Sequence, residues 1–324
     1  MTKAIRIYEH GGPEVLKWED VELGDPGEGE VQLKHTAVGL NFIDCYQRSG
    51  LYPMDLPLTL GTEAAGVIEA IGSGVTDLSV GQRVTYAGGQ IGSYCEARNI
   101  PANVLVAIPD SIEDQTAAAM MLKGMTAHML MFKCYAVQPG DTILVHAAAG
   151  GVGTIMCQWA NALGATVIGT VGSAEKAAKA KAHGCHHPIN YSEEDFAERV
   201  QEITDGKGVP VVYESIGKDT YEKSMDCLEN FGMLVNFGNA SGAIPAIEPL
   251  ELMRRGSLAL SRPTLFNYTS DPAMRQTAAQ ALFDIVASGK VKIEIGQSFP
   301  LADVAAAHTA LESRQTTGST VLIP

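Results

Sequence analysis

The 324-residue sequence holds six cysteines, and no two of them form a Cys-x-x-Cys pair. Cys45, Cys95, Cys134, Cys157, Cys185 and Cys227 stand singly, so neither a structural zinc ladder nor a disulfide framework is expected. Isolated thiols among apolar neighbours fit a reducing compartment, where a free Cys packs as a small hydrophobe. Positive charge is scarce as well. The 23 Lys and Arg against 37 Asp and Glu leave a formal net charge of −14, which opposes nonspecific attraction to nucleic-acid phosphates or anionic lipid. No apolar run approaches the roughly 20 residues of a membrane helix, and the opening MTKAIRIYEHGG has no long apolar core of an export signal. A cytoplasmic protein with no nucleic-acid or membrane partner is the expectation. His183, His186 and His187 cluster, but no Cys or acid joins them at ligand spacing, and they read as a solvated helix end.

What is present is a globular composition, 46% hydrophobic with 34 Gly and 15 Pro, long enough for two domains. Up to about residue 110 short apolar runs (4–8, 31–38, 65–71, 83–86) alternate with turn signals such as Gly72-Ser73-Gly74 and Pro109-Asp110, which predicts a barrel-like β domain with an irregular helix near 41–48. A long helix is expected over 113–132. From residue 141 the rhythm becomes strand, glycine, helix: strands at 142–147, 165–171, 209–215 and 233–237, helices at 152–163, 174–183, 192–204 and 220–229. That alternation predicts a doubly wound parallel sheet of Rossmann type. A helix over 271–288 and strands at 291–295 and 320–323 follow, a tail too short to fold alone and expected to rejoin the first domain. The expected boundaries are 1–122 and 263–324 for the β-barrel domain, and 123–262 for the inserted sheet.

The most informative segment is Ala148-Ala149-Gly150-Gly151-Val152-Gly153, a glycine-rich turn between a strand and a helix. It matches G-x-G-x-x-G with Ala in the first slot. Gly150 lets the backbone approach a pyrophosphate, Gly153 lets helix and strand pack, and the helix N-terminus offers N–H groups to the phosphates. The absent Gly-Lys-Ser/Thr excludes a P-loop. An NAD site places an acid about 20 residues on, yet residues 170–173 read Thr-Val-Gly-Ser, with Lys176 near. A missing carboxylate and a nearby cation suit a 2′-phosphate, hence NADPH.

Several stretches together carry a resemblance over the full length: His10-Gly11-Gly12-Pro13-Glu14-Val15-Leu16, Val38-Gly39-Leu40-Asn41-Phe42-Ile43-Asp44, Gly61-Thr62-Glu63-Ala64-Ala65-Gly66, the phosphate turn with His146 before it, and Phe237-Gly238-Asn239. The chain resembles the zinc-free quinone oxidoreductases of the medium-chain dehydrogenase/reductase family. The resemblance implies a GroES-like β-barrel catalytic domain with an inserted Rossmann domain, NADPH as cofactor, and a homodimer paired through the Rossmann sheet edge. The zinc-ligand positions of the family's alcohol dehydrogenases fall on Asn41, on Thr62 and near Lys123, and an amide, a hydroxyl and an ammonium do not make a zinc site. Only Cys95 stands in the segment that would hold the structural-zinc cysteines.

By the same resemblance Tyr52, Asn41 and Tyr46 are the catalytic candidates, with Tyr52 placed to hydrogen-bond a quinone oxygen. Asn41, Phe42, Ile43, Tyr46, Thr126, Gly150, Gly151, Val152, Gly153, Gly172, Ser173, Lys176, Tyr191, Ser215, Phe237, Gly238, Asn239, Arg262 and Arg314 are the cofactor candidates, and no metal ligand is among them. The expected function is metal-independent NADPH-dependent reduction of a small-molecule quinone, by hydride or single-electron transfer. Reduction of an enone or alkenal double bond is the alternative, and a nonenzymatic crystallin-like or RNA-binding role the remote one.

Overall fold

The computed structural model describes residues 1–89 and 91–324, which group into two compact units. The first comprises residues 1–125, 268–287 and 293–324; the second comprises residues 126–267 and 288–292. Among the described residues no helix is long and apolar enough to cross a membrane.

The first unit contains β1 (Thr2–Ile7), β2 (Lys17–Val21), β3 (Glu30–Leu40), α1 (Phe42–Ser49), β4 (Leu58–Thr59), β5 (Glu63–Ile71), β6 (Arg83–Ala87), β7 (Ala97–Pro101) and β8 (Val106–Ala107). Helix α2 (Asp114–His128) leads out of it. Strand β3 organises this unit. Its alternate residues Val31, Leu33, His35 and Ala37 are buried, as period-two patterning requires of one face on a core. It pairs antiparallel with β5 and β7, and register shifts at Gln32/Leu33 and His35/Ala37 interrupt its ladder with β5. Val31, Leu33, Val38, Leu40, Ile68, Val84, Tyr86 and Ile100 converge inside.

In the second unit β9 (Thr142–Val145), α3 (Gly151–Ala162), β10 (Thr166–Val171), α4 (Ala174–Ala182), β11 (His187–Asn190), α5 (Phe196–Ile203), β12 (Val209–Glu214), α6 (Tyr221–Asp226), β13 (Leu228–Asn236), α7 (Pro249–Arg254) and β14 (Ala259–Ser261) alternate. The strands form one parallel sheet in the order β11-β10-β9-β12-β13-β14. The chain therefore winds outward on both sides of β9, and the crevice outside the strand C-termini at that reversal is where such sheets bind ligands. After α8 (Leu265–Thr269), helix α9 (Pro272–Ala287), strand β15 (Ile295–Pro300), helix α10 (Val304–Glu312) and strand β16 (Ser319–Ile323) complete the first unit. Strand β16 pairs with β3, so the sheet order there is β15-β16-β3-β5-β6-β8.

Three sequence expectations are corrected. The strand expected at 291–295 lies at Ile295–Pro300 instead, because the Gln158 side chain brackets Lys292, accepting from its N–H at 2.9 Å and donating to its carbonyl at 3.0 Å. Those backbone groups are then lost to any ladder. The helix expected over 220–229 ends at Asp226, since Leu228 already pairs with Val209 in β13. Helix α10 was not expected at all.

Candidate active site

Strand β9 passes into α3 through a five-residue turn. His146 N–H reaches the Tyr213 carbonyl at 3.1 Å and Ala148 N–H the Thr170 carbonyl at 3.0 Å, tying the turn to β12 and β10. Ala147 takes a φ of 53°, and Gly150 N–H closes the turn on its carbonyl at 2.8 Å. A Cβ at Gly153 would lie 2.2 Å from the Ala147 oxygen, so only glycine lets helix and turn meet here. At Gly150 a Cβ would lie 3.2 Å from the same carbonyl oxygen, closer than ordinary contact, and without one the bare backbone forms a cradle over the first turn of α3. Gly151, Val152 and Gly153 open that helix, whose leading N–H groups have no partner within it and sit at its positive end. The cradle suits a pyrophosphate.

The neighbouring strand end supplies a second cluster. Ser173 caps α4, its Oγ accepting from the Lys176 N–H at 3.2 Å. A Cβ at Gly172 would lie 2.7 Å from the Tyr191 hydroxyl, so Gly172, Ser173, Lys176 and Tyr191 share one corner. On the other side, a Cβ at Gly238 would lie 2.5 Å from the Ser215 carbonyl, and Arg262 Nη1 donates to the Asn236 carbonyl at 3.1 Å. Ser215, Phe237, Gly238, Asn239 and Arg262 thus gather at the ends of β12 and β13. Ser215 Oγ and Asn236 Oδ1 are buried without a hydrogen-bond partner among the described residues, the condition of atoms that await a ligand.

Beneath the turn lies a network that sequence reasoning missed. His146 Nδ1 meets Thr170 Oγ1 at 2.8 Å and Nε2 meets Ser224 Oγ at 2.8 Å. Glu214, fully buried, accepts from Ile216 N–H at 2.6 Å, Gly217 N–H at 3.1 Å, Thr220 Oγ1 at 2.9 Å and Ser224 Oγ at 2.6 Å. Burial holds His146 below the ordinary imidazole range. Burial alone would push Glu214 up, but its hydrogen bonds and the His146 ring outweigh that and hold it down. The three strand ends that bear the ligand clusters are thereby joined through their side chains.

The first unit has its own buried polar centre. Helix α1 starts at Asn41, whose N–H donates to the Asp44 carboxylate at 2.8 Å. Asp44 also accepts from Tyr94 at 2.9 Å and Thr62 at 3.1 Å. Glu63 Oε1 accepts from Asn41 Nδ2 and from Lys123 Nζ, each at 2.8 Å, while Oε2 accepts from Leu122 N–H at 2.6 Å. Glu63 has no exposed surface and the Lys123 side chain 7%. A Cβ at Gly39 would fall 2.2 Å from Glu63 Oε1, so that glycine makes the room. On the same helix Phe42 and Tyr46 lie 6.1 Å apart between ring centroids, and Tyr52 stands edge-on to Tyr46 at 5.3 Å. Asn41, Phe42, Tyr46 and Tyr52 are therefore brought together, with Ile43 half-buried beside them. Thr126 is buried on α2, three residues beyond Lys123. Arg314 is exposed in the loop after α10, at a φ of 60°.

Comparison with known proteins matches residues 27–110 to the alcohol dehydrogenase GroES-like domain and 151–284 to the zinc-binding dehydrogenase family. A quinone oxidoreductase of Pseudomonas aeruginosa is 51% identical, with all of both chains aligned. The chain belongs to the quinone oxidoreductases of the medium-chain dehydrogenase/reductase family. A crystal structure of the Escherichia coli quinone oxidoreductase complexed with NADPH superposes with a TM-score of 0.98 at 48% identity, covering 99% of this chain and 100% of that one. A 2-haloacrylate reductase of Burkholderia is also 48% identical, over 100% of this chain and 99% of its own. The family therefore provides the GroES-like and Rossmann-type domains seen as the two units.

Zinc, which the family description implies, does not fit the residues present. At the expected ligand positions stand the Asn41 amide, the Thr62 hydroxyl and the Lys123 ammonium, two of them bonded to Glu63 and one to Asp44. Among the described residues no group of three or more His, Cys, Asp and Glu could hold a metal ion.

Proposed function

We propose that this protein reduces small quinones with NADPH. The observation that carries the assignment is the glycine cradle at the sheet reversal, flanked by a strand end with no acid at residues 170–173 and with Lys176 at hand. Gly150, Gly151, Val152 and Gly153 would hold the pyrophosphate by backbone N–H groups, and Gly172, Ser173, Lys176 and Tyr191 the 2′-phosphate. Ser215, Phe237, Gly238, Asn239 and Arg262 would line the ribose and nicotinamide side, with Thr126, Asn41, Phe42, Ile43, Tyr46 and Arg314 completing the cofactor contacts. NADPH supplies the reducing electrons, as hydride or singly.

The remaining work falls to side chains of the first unit. Phe42, Tyr46 and Tyr52 offer apolar ring surface for a planar acceptor, and the Tyr52 hydroxyl is a donor for a quinone oxygen. Quinones suit a site of this kind because they accept electrons readily, so orientation and exclusion of water replace carbonyl polarisation by a metal. The protein works in the cytoplasm as a homodimer. Six unpaired thiols support the reducing compartment, and exposed Phe231, Leu250, Met253 and Leu260 near the open edge of β14 support self-association.

Fluorescence titration with NADPH and NADH, followed by steady-state rates with 9,10-phenanthrenequinone and with 2-alkenals, tests this reading. NADPH binds more tightly and the quinone turns over. Turnover of alkenals alone refutes the quinone assignment.

A further inference from the structure

We propose that Lys123 is the catalytic acid of the reaction, meeting the acceptor oxygen with its ammonium and delivering the proton that completes the hydroquinone. The inference rests on the quinone reading. Its ground is an ammonium with donors to spare. Lys123 carries three N–H groups, its side chain is 93% buried, and among the described residues Glu63 is the only partner of Nζ. Buried donors left without partners are costly, so two idle N–H groups on a buried cation mark a place for a ligand acceptor.

The surroundings say which acceptor. Glu63 Oε1 holds both the Lys123 ammonium and the Asn41 amide at 2.8 Å, so the two head groups converge on one oxygen. Asn41 begins the helix that carries Phe42 and Tyr46, with Tyr52 against Tyr46. A flat ring bearing an oxygen at its edge matches aromatic rings carried by the helix whose cap shares Glu63 with the cation. A purely structural ion pair is a poor explanation, because replacing a buried pair by apolar residues of similar volume is often neutral or stabilising.

The step balances. In the two-electron route a hydride from the reduced cofactor supplies both electrons and one hydrogen. One Lys123 N–H bond then breaks and an O–H bond forms at the quinone oxygen. The electron pair of the broken bond stays on nitrogen, leaving a neutral amine, hydroquinone and oxidised cofactor. Water returns a proton to the amine, and the Glu63 carboxylate favours that return because it lies 2.8 Å away. Before the transfer, the ammonium stabilises charge growing on the oxygen.

The experiment uses the full-length protein with NADPH and 9,10-phenanthrenequinone. In Lys123→Ala, NADPH affinity by fluorescence stays within about threefold, while single-turnover NADPH oxidation slows about 100-fold or more, the range of general acid catalysis. Methylamine restores the rate with saturation. The companion variant Glu63→Gln/Lys123→Met removes both charges and guards against a folding defect. It melts near the wild type and remains about as slow as Lys123→Ala. Wild-type turnover in either variant, or a defect that methylamine does not repair in Lys123→Ala, overturns the assignment. A wild-type protein that binds NADPH yet leaves the quinone unreduced overturns the function itself, and this inference with it.

Discussion

Each unit buries one glutamate completely, and the two are neutralised in opposite ways. Glu214 is surrounded by neutral donors, two backbone N–H groups and two hydroxyls, beside a His146 ring that burial holds below the ordinary imidazole range. Every participant has a partner, and the network is closed. Glu63 instead faces a full positive charge on Lys123, with two N–H groups left over. A closed network fixes strand ends against one another. An open ion pair keeps a charge available, which is what a reaction developing negative charge on oxygen needs.

The two glutamates differ most in what their removal costs. Glu63→Ala leaves an unpaired buried ammonium and costs about 3–5 kcal/mol of stability. Glu214→Ala leaves four neutral donors unsatisfied but no uncompensated charge, at about 1–3 kcal/mol for each donor that water does not reach. Urea midpoints of the two variants measure both losses. If they are equal, charge is not what separates the sites.

The same contrast explains what could be read in the sequence. The glycine turn 150–153 was legible because its function lies in the backbone: a strand, a turn no side chain can enter, and a helix leave a local pattern. The strand-helix alternation of the second unit was legible for the same reason. Glu63 and Lys123 stand 60 residues apart, and His146 and Ser224 stand 78 apart, so no local spacing announces either partnership. Asn41, Thr62 and Lys123 were singled out only through resemblance, as positions where zinc ligands were missing. What stands there, a carboxylate shared by an amide 22 residues before it and an ammonium 60 residues after it, is assembled only by tertiary folding. Helix α10 was missed although Val304, Ala307 and His308 mark its buried face, because an alanine-rich stretch lacks contrast between its faces.

Cofactor choice is set in the second unit. Lys176→Ala raises KM for NADPH over that for NADH by roughly 1.5–3 kcal/mol, the worth of a charge-assisted hydrogen bond to phosphate. Steady-state kinetics with both cofactors measure it. An equal change in the two KM values removes Lys176 from the 2′-phosphate.

A smaller effect concerns Asp44, which sits next to the open pair. Burial pushes its carboxyl up to about 7 despite hydrogen bonds from Asn41, Tyr94 and Thr62. Burial also pushes His308 down to about 3 and His35 down to about 4. Between pH 4 and 7 the folded chain keeps a proton on Asp44 that the unfolded chain has released, so this contribution is present at low pH and lost as pH rises. The histidines act in reverse: below about 6.5 the unfolded chain takes up protons that the folded chain refuses. Near pH 5.5 these histidines, joined by His146, outweigh one carboxyl, and acidification destabilises. Asp44→Asn removes the opposing contribution and steepens that loss by about one proton, read from urea midpoints across pH 5–6.5. An unchanged slope places Asp44 in the ordinary carboxylate range.

The least effect is expected from chelation, and it bears on the open pair directly. For a metal to occupy the ligand positions, it would have to displace the Lys123 ammonium from Glu63 and bind through an amide and a hydroxyl, both weak ligands beside thiolate and imidazole. The positive charge at that place is already supplied by nitrogen. EDTA therefore leaves both the quinone reduction rate and the melting temperature unchanged, whereas Lys123→Ala slows the first. A rate lost to EDTA and regained with zinc means that a cation other than Lys123 holds the acceptor oxygen, and the contrast between the two glutamates then has to be drawn around that ion.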